Sequence, residues 1–131
     1  MIRIGEKLNG AIKSVAAAIQ NRDVEFLQAR ALSQQAAGAD YLDVCAAVEG
    51  GELTALRFLI DTVQAASDLP LCVDSPDPEA CVAAMAYCSR PGILNSVSME
   101  GRKTEVVFPA IADTDWGVIA LVWFYEVIRL W

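Results

Sequence analysis

The sequence predicts an α/β fold of parallel βα repeats, a partial (β/α)8 TIM barrel of about five strands. Three observations predict it. First, four short apolar runs alternate with helical stretches, and each runs into a hydrogen-bonding residue: Ile2-Arg3-Ile4-Gly5 into Glu6, Tyr41-Leu42 into Asp43, Leu71-Cys72-Val73 into Asp74, and Gly92-Ile93-Leu94 into Asn95. Second, residues 118–122 are β-branched and apolar throughout, as expected of a fifth strand buried on both faces. Third, no linker-like stretch interrupts the β-α-β-α-β-α-β-α-β order, so residues 1–131 read as one domain. When parallel strands close into a barrel, their carboxyl ends converge on one mouth, where such folds place their chemistry.

The elements follow in order. Residues 11–20 are alanine-rich and helical, and Asn21-Arg22-Asp23 breaks them. Asp23 can cap a second helix running to about Ala37, with Gly38 where a C-terminal cap belongs. Strand two covers residues 40–44. The third helix shows an apolar stripe of Leu53, Leu56, Ile60 and Val63, with Leu59 beside it. Asp68-Leu69-Pro70 leads into strand three, residues 71–73. In Asp74-Ser75-Pro76-Asp77-Pro78, either Ser75 or Asp77 can cap the next helix, and Pro78 suits its first turn. That helix reaches about Tyr87, and Ser89-Arg90-Pro91-Gly92 turns the chain into strand four. A helix over residues 101–112 carries Val107, Ala110 and Ile111 on one face, and Pro109 either kinks it or marks a late start. The tail from Trp123 holds four aromatics in nine residues. It reads either as a final amphipathic element covering a sheet edge, or as the end of a barrel truncated after its fifth strand, leaving apolar surface for a partner. The second reading implies a homo-oligomer.

The composition narrows the function. At 131 residues the chain has room for a core but falls short of the ~250 of a complete barrel. A net charge of −7 argues against an electrostatic grip on nucleic acid. The chain has no histidine, which removes Ser-His and Cys-His nucleophile pairs and the commonest zinc ligand. Cys45, Cys72, Cys81 and Cys88 form no CxxC pair, so no metal site is expected. They read as buried thiols, with Cys45 alone near the proposed mouth. No leader-like segment opens the sequence, and its longest strongly apolar run, residues 117–125, is about half the ~20 residues of a membrane helix. The expectation is a cytoplasmic protein with no membrane contact.

Four strings carry a resemblance: Ile4-Gly5-Glu6-Lys7-Leu8-Asn9-Gly10, Ala39-Asp40-Tyr41-Leu42-Asp43-Val44, Leu71-Cys72-Val73-Asp74-Ser75 and Ile93-Leu94-Asn95-Ser96. In this order and spacing they resemble the pterin-binding barrel family, specifically the methyltetrahydrofolate–corrinoid methyltransferases. Lys103-Thr104-Glu105-Val106-Val107-Phe108-Pro109 fits the segment after the fourth strand. The resemblance covers residues 1–122, the amino-terminal half of a family member, and departs at Cys45, where the family often has asparagine, and from Trp123 onward. It implies a methyltransferase that moves the N5 methyl of methyltetrahydrofolate to or from the cobalt of a cobalamin-type corrinoid on a partner protein. A neutral tertiary amine leaves badly, so N5 must gain a proton or a strong hydrogen bond near the transition state.

The resemblance also implies site residues. Asp74 would take the donor edge of the pterin, since a carboxylate accepts two donors at once, and Asn95 an adjacent ring nitrogen. Asn9, placed in the first βα loop, would contact the ring or shape the pocket floor, with Glu6 and Asp43 beside it. Plainer roles stand next to these: a helix cap for Asp74, a turn for Asn95 and for Asn9 before Gly10, and loop fixing for Glu6 and Asp43. No catalytic residue is assigned, because the family's asparagine near N5 would come from later strands.

Three other readings compete. A dihydropteroate synthase-like enzyme would carry an Asn-x-Thr-Pro-Asp-Ser-Phe type loop where this chain has Asn9-Gly10-Ala11-Ile12. A flavodoxin-like receiver would need an acidic pair after strand one and a lysine after strand five, where Trp123 stands. The non-enzymatic alternative is a truncated domain that binds pterin without catalysis or self-associates through an open sheet edge.

Overall fold

Short β-rich runs separated by amphipathic helices can bury both sets of apolar side chains only by winding helices against a parallel sheet. The computed structural model, which describes residues 1–46 and 51–121, has that architecture. The elements are β1 (Ile4–Asn9), α1 (Lys13–Gln20), α2 (Val24–Ala36), β2 (Tyr41–Cys45), α3 (Glu52–Gln64), β3 (Leu71–Asp74), α4 (Pro78–Ala84) with a 3-10 turn Met85–Tyr87, β4 (Ile93–Val97), α5 (Lys103–Ile111) and β5 (Gly117–Ala120). The sheet order is β1-β2-β3-β4-β5, all parallel. Five parallel strands in chain order with alternating helices are the winding of a partial barrel, since βα crossovers of one hand place successive helices on one face of such a sheet.

The caps are local consequences of sequence. Asp23 accepts from the Phe26 amide at 3.1 Å, and Asp77 from the Glu79 amide at 3.0 Å. Of the two candidates before α4, Asp77 is therefore the cap. Ser75 instead ties the preceding loop, accepting from the Asp77 amide at 3.1 Å and donating to Glu52 at 2.6 Å. Gly38 follows α2 at φ +88°, a left-handed conformation that glycine adopts without a Cβ penalty. Pro109 lies inside α5 and so does not mark a late start. α1 begins two residues later than its alanine run suggests, because Ala11 and Ile12 are used by the turn that leaves β1.

The core lies between helices and sheet. Leu8, Leu42, Val44, Leu71, Val73 and Leu94 point from the strands into the helix layer, where Val15, Leu27, Leu56, Leu59, Ile60 and Val63 meet them. Strand residues alternate faces, so the intervening residues, Asp43, Cys45, Cys72, Asp74, Ile93 and Asn95, share the opposite face.

Two expectations are corrected. Glu6, Asp43 and Asn95 do not end their strands, which run on to Asn9, Cys45 and Val97; Asp74 does close β3. Parallel pairing uses backbone groups and is indifferent to side-chain polarity, so a polar residue does not stop a strand. The fifth strand is not buried on both faces: Gly117, Val118 and Ile119 are half-buried and Ala120 is exposed. Among the described residues β5 pairs with β4 alone, so its other edge gains no cover from a strand. Val122 and the aromatic tail 123–131 lie outside the described residues. Among those described, no helix is long and apolar enough to cross a membrane.

Candidate functional site

Register places the polar face. Asn9, Cys45, Asp74, Asn95 and Ile119 stand side by side across β1 to β5, one row at the carboxyl end of the sheet. Asp43, Cys72, Ile93 and Gly117 form the next row inward. Glu6 reaches the same region by another route. The β1–β2 register shifts between Gly5 and Leu8, and the Lys7 amide that this frees from the ladder donates to Gln34 Oε1 at 2.7 Å. Such a bulge re-aims side chains beside it.

The result is a cavity of about 260 Å³ lined by Glu6, Asn9, Ala11, Ile12, Asp43, Asp74 and Asn95. All five polar residues singled out from the sequence line it. Its volume is somewhat below the ~300–1,000 Å³ typical of small-molecule sites. Asn9 is not a loop residue: it ends β1, and its Oδ1 accepts from the Ala11 amide at 2.8 Å. It therefore performs the turn role and lines the cavity at once.

Asp43 is 2% exposed, and its burial is made tolerable by donors. Asn95 Nδ2 donates to Asp43 Oδ2 at 3.1 Å, and the Cys72 thiol donates to the same carboxylate. Burial nevertheless lifts the Asp43 carboxyl to about 6; these two hydrogen bonds oppose the rise, and the negative charges of Asp74 and Glu6 add to it. Asp74 is also pushed above the usual carboxylate range, first by burial and then by Glu52 and Glu6, against a hydrogen bond from the Cys45 thiol and the charge of Lys103. Burial beside Asp43 raises the Cys72 thiol strongly, so it stays protonated and able to donate.

The thiol–carboxylate pairs were not legible as such in the sequence, which marked Cys72 as an ordinary buried thiol. A signal was present: Cys72 lies two residues before Asp74, and Cys45 two after Asp43, so alternation puts both thiols on the face of the aspartates, and register then sets Cys72 beside Asp43 and Cys45 beside Asp74. Chemically the cavity is rich in acceptors, with three carboxylates and two amide side chains. It suits a ligand whose edge presents several N–H donors. Among the described residues, no group of three or more Cys, Asp and Glu is arranged to hold a metal ion.

The raised Asp43 carboxyl makes a pH prediction. Below the ordinary value of 3.8 it is protonated in folded and unfolded chains alike, and above about 6 it is charged in both. In between, the folded chain holds a proton that the unfolded chain has lost, so Asp43's contribution to stability falls as pH rises through this window. Urea denaturation at about pH 4 and pH 7 is expected to show a smaller loss of stability for Asp43→Asn than for the wild type. Equal losses would mean that Asp43 titrates normally in the folded chain.

Comparisons with known proteins match most of the chain. The family model described as "Pterin binding enzyme" matches residues 5–126. The chain is 48% identical over 124 residues to the methylcorrinoid:tetrahydrofolate methyltransferase of Eubacterium limosum, an alignment that takes in 92% of this chain and 46% of that protein. The chain thus spans about half the length of the relative it matches.

Proposed function

The chain belongs to the pterin binding enzyme family, and on that premise we propose that it supplies the pterin-binding side of a methyltransferase. In this reading tetrahydrofolate sits at the carboxyl ends of β1 to β4 while methyl passes between its N5 and the cobalt of a corrinoid on a partner protein. The observation that carries the reading is the convergence of Glu6, Asn9, Asp43, Asp74 and Asn95 on one acceptor-rich cavity. The substrates are those named for the relative from Eubacterium limosum.

Asp74 closes its strand at the rim and is half-buried, so its carboxylate can take two N–H donors of the pterin edge. Asn95, one strand over and level with it, addresses a neighbouring ring nitrogen. Asn9, fixed by its turn, forms a wall, and Glu6 and Asp43 keep the cavity negative so that donor-rich rings are favoured. These contacts contribute positioning: they hold N5 at the mouth, where a second protein can bring its methyl-carrying metal. The chemistry of methyl transfer belongs to the corrinoid and to N5; the chain's part is to bind and orient.

The test is product formation. Tetrahydrofolate and methylcobalamin are incubated with this chain under anaerobic conditions, and 5-methyltetrahydrofolate is measured by mass spectrometry. Chain-dependent product is expected. Tetrahydrofolate binding without product would reduce the function to pterin binding and overturn the transferase reading.

A further inference from the structure

Within the cavity, one contact decides which end of an amide meets the ligand. Asn95 Nδ2 donates to Asp43 Oδ2 at 3.1 Å. An ionised carboxylate can only accept, so it holds the nitrogen end of the Asn95 amide toward itself and the oxygen end away. Asn95 lines the cavity, which leaves its Oδ1 and second amide hydrogen for whatever occupies that space.

We propose that Asp43, by fixing the Asn95 amide, makes this cavity select a pterin whose N8 carries hydrogen, a reduced ring, over the fully oxidised one. The inference rests on the tetrahydrofolate reading above and names a specificity device within it. A reduced pterin presents an N8–H donor next to the N1 acceptor, the complement of an amide's C=O beside its N–H. In the oxidised ring N8 is an acceptor too, so its lone pair faces Asn95 Oδ1 and a hydrogen bond is replaced by repulsion. A site built to bond an N–H rejects the analogue that lacks it far more strongly than an apolar pocket rejects a lost methylene.

The surroundings hold this arrangement. Asp43 is packed among Cys72 and Asp74 of β3, Glu6 of β1 and Asn95 of β4, and among these Cys72 and Asn95 are its donors. With the carboxyl titrating at about 6, Asp43 is largely charged at neutral pH and accepts from Asn95 rather than donating to it.

The test compares dissociation constants for tetrahydrofolate, 7,8-dihydrofolate and folate at about pH 7.5, for the wild type and Asp43→Asn. In the wild type, folate is expected to bind at least about tenfold more weakly than tetrahydrofolate. Dihydrofolate, which keeps N8–H, is expected to group with tetrahydrofolate. An asparagine at 43 can both donate and accept, so the Asn95 amide can turn over, and the folate-to-tetrahydrofolate ratio should fall toward one. A merely structural role for Asp43 would weaken all three ligands together and leave the ratio alone. Equal wild-type affinity for reduced and oxidised ligands overturns the inference while leaving the tetrahydrofolate reading intact; so does an unchanged ratio in Asp43→Asn. If none of the three binds, the reading itself fails and takes the inference with it. Should Asp43→Asn fail to fold, the wild-type series still decides, because dihydrofolate grouping with folate would contradict selection at N8.

Discussion

Replacing Gly92 with alanine is expected to destabilise the fold by about 3 kcal/mol or more, enough to leave little folded protein in a domain of ordinary stability. A Cβ at this position would stand 2.0 Å from the Leu71 carbonyl oxygen and 3.1 Å from the carbonyl carbon. Both are backbone atoms of β3, so no side-chain rotation relieves the clash. Gly92 also accepts from the Gly117 amide at 2.9 Å, where β5 begins to pair with β4. Relief by separating β3 from β4 would break the level pairing of Asp74 with Asn95 and loosen β5 at the same time. Denaturant titration followed by circular dichroism measures the effect. A loss below about 1 kcal/mol would mean that the strands approach less closely at this point. The same substitution at Gly51 or Gly101 meets no atom within 4 Å, so only the backbone preference for positive φ opposes it.

Removing the Asp74 carboxylate has the opposite signature, a large loss of binding with little loss of stability. Asp74→Ala is expected to weaken tetrahydrofolate binding about tenfold or more, the ~1.5–3 kcal/mol of a charge-assisted hydrogen bond. The folded protein should not suffer comparably. Burial and the neighbouring charges of Glu52 and Glu6 already disfavour the ionised Asp74, so its removal relieves repulsion at neutral pH. What is lost is the hydrogen bond from the Cys45 thiol. Equilibrium dialysis for affinity and thermal melting for stability separate the two effects. Unchanged affinity in a folded variant would remove Asp74 from the binding site; a collapse in stability would show it to be structural.

Much of this architecture was written in local patterns. The alternation of short apolar runs with helical stripes such as Leu56, Ile60 and Val63 fixed the α/β class, and sequential βα repeats left one simple way to wind. Asp23 and Asp77 announced their helices because capping is a property of a few adjacent residues. The strand ends were misjudged where the evidence is not local. Pairing of β4 with β5 carries β4 past Asn95 to Val97, and nothing in Asn95-Ser96 by itself reveals this. The exposure of β5 likewise depends on what stands beside it, whereas its composition shows only that it can be buried.

The site was legible as a set and not as a network. The five polar positions were found from their place after apolar runs and from the family resemblance, and they do line one cavity. Their depth and partners came from register: Asp43 one row below Asp74, Asn95 bonded to Asp43, and a thiol donating to each of the two aspartates. These contacts join residues up to 52 positions apart, such as Asn95 and Asp43. Periodicity within one strand identifies a face, but the pairing across strands determines which residues on that face meet.

Calorimetric titration of methyltetrahydrofolate into the folded 131-residue chain tests the central claim most directly, that the strand ends of this sheet assemble a pterin site. The account predicts saturable binding near one equivalent per chain, weakened about tenfold or more by Asp74→Ala. Absence of binding by the folded chain, or binding that Asp74→Ala leaves untouched, would contradict it.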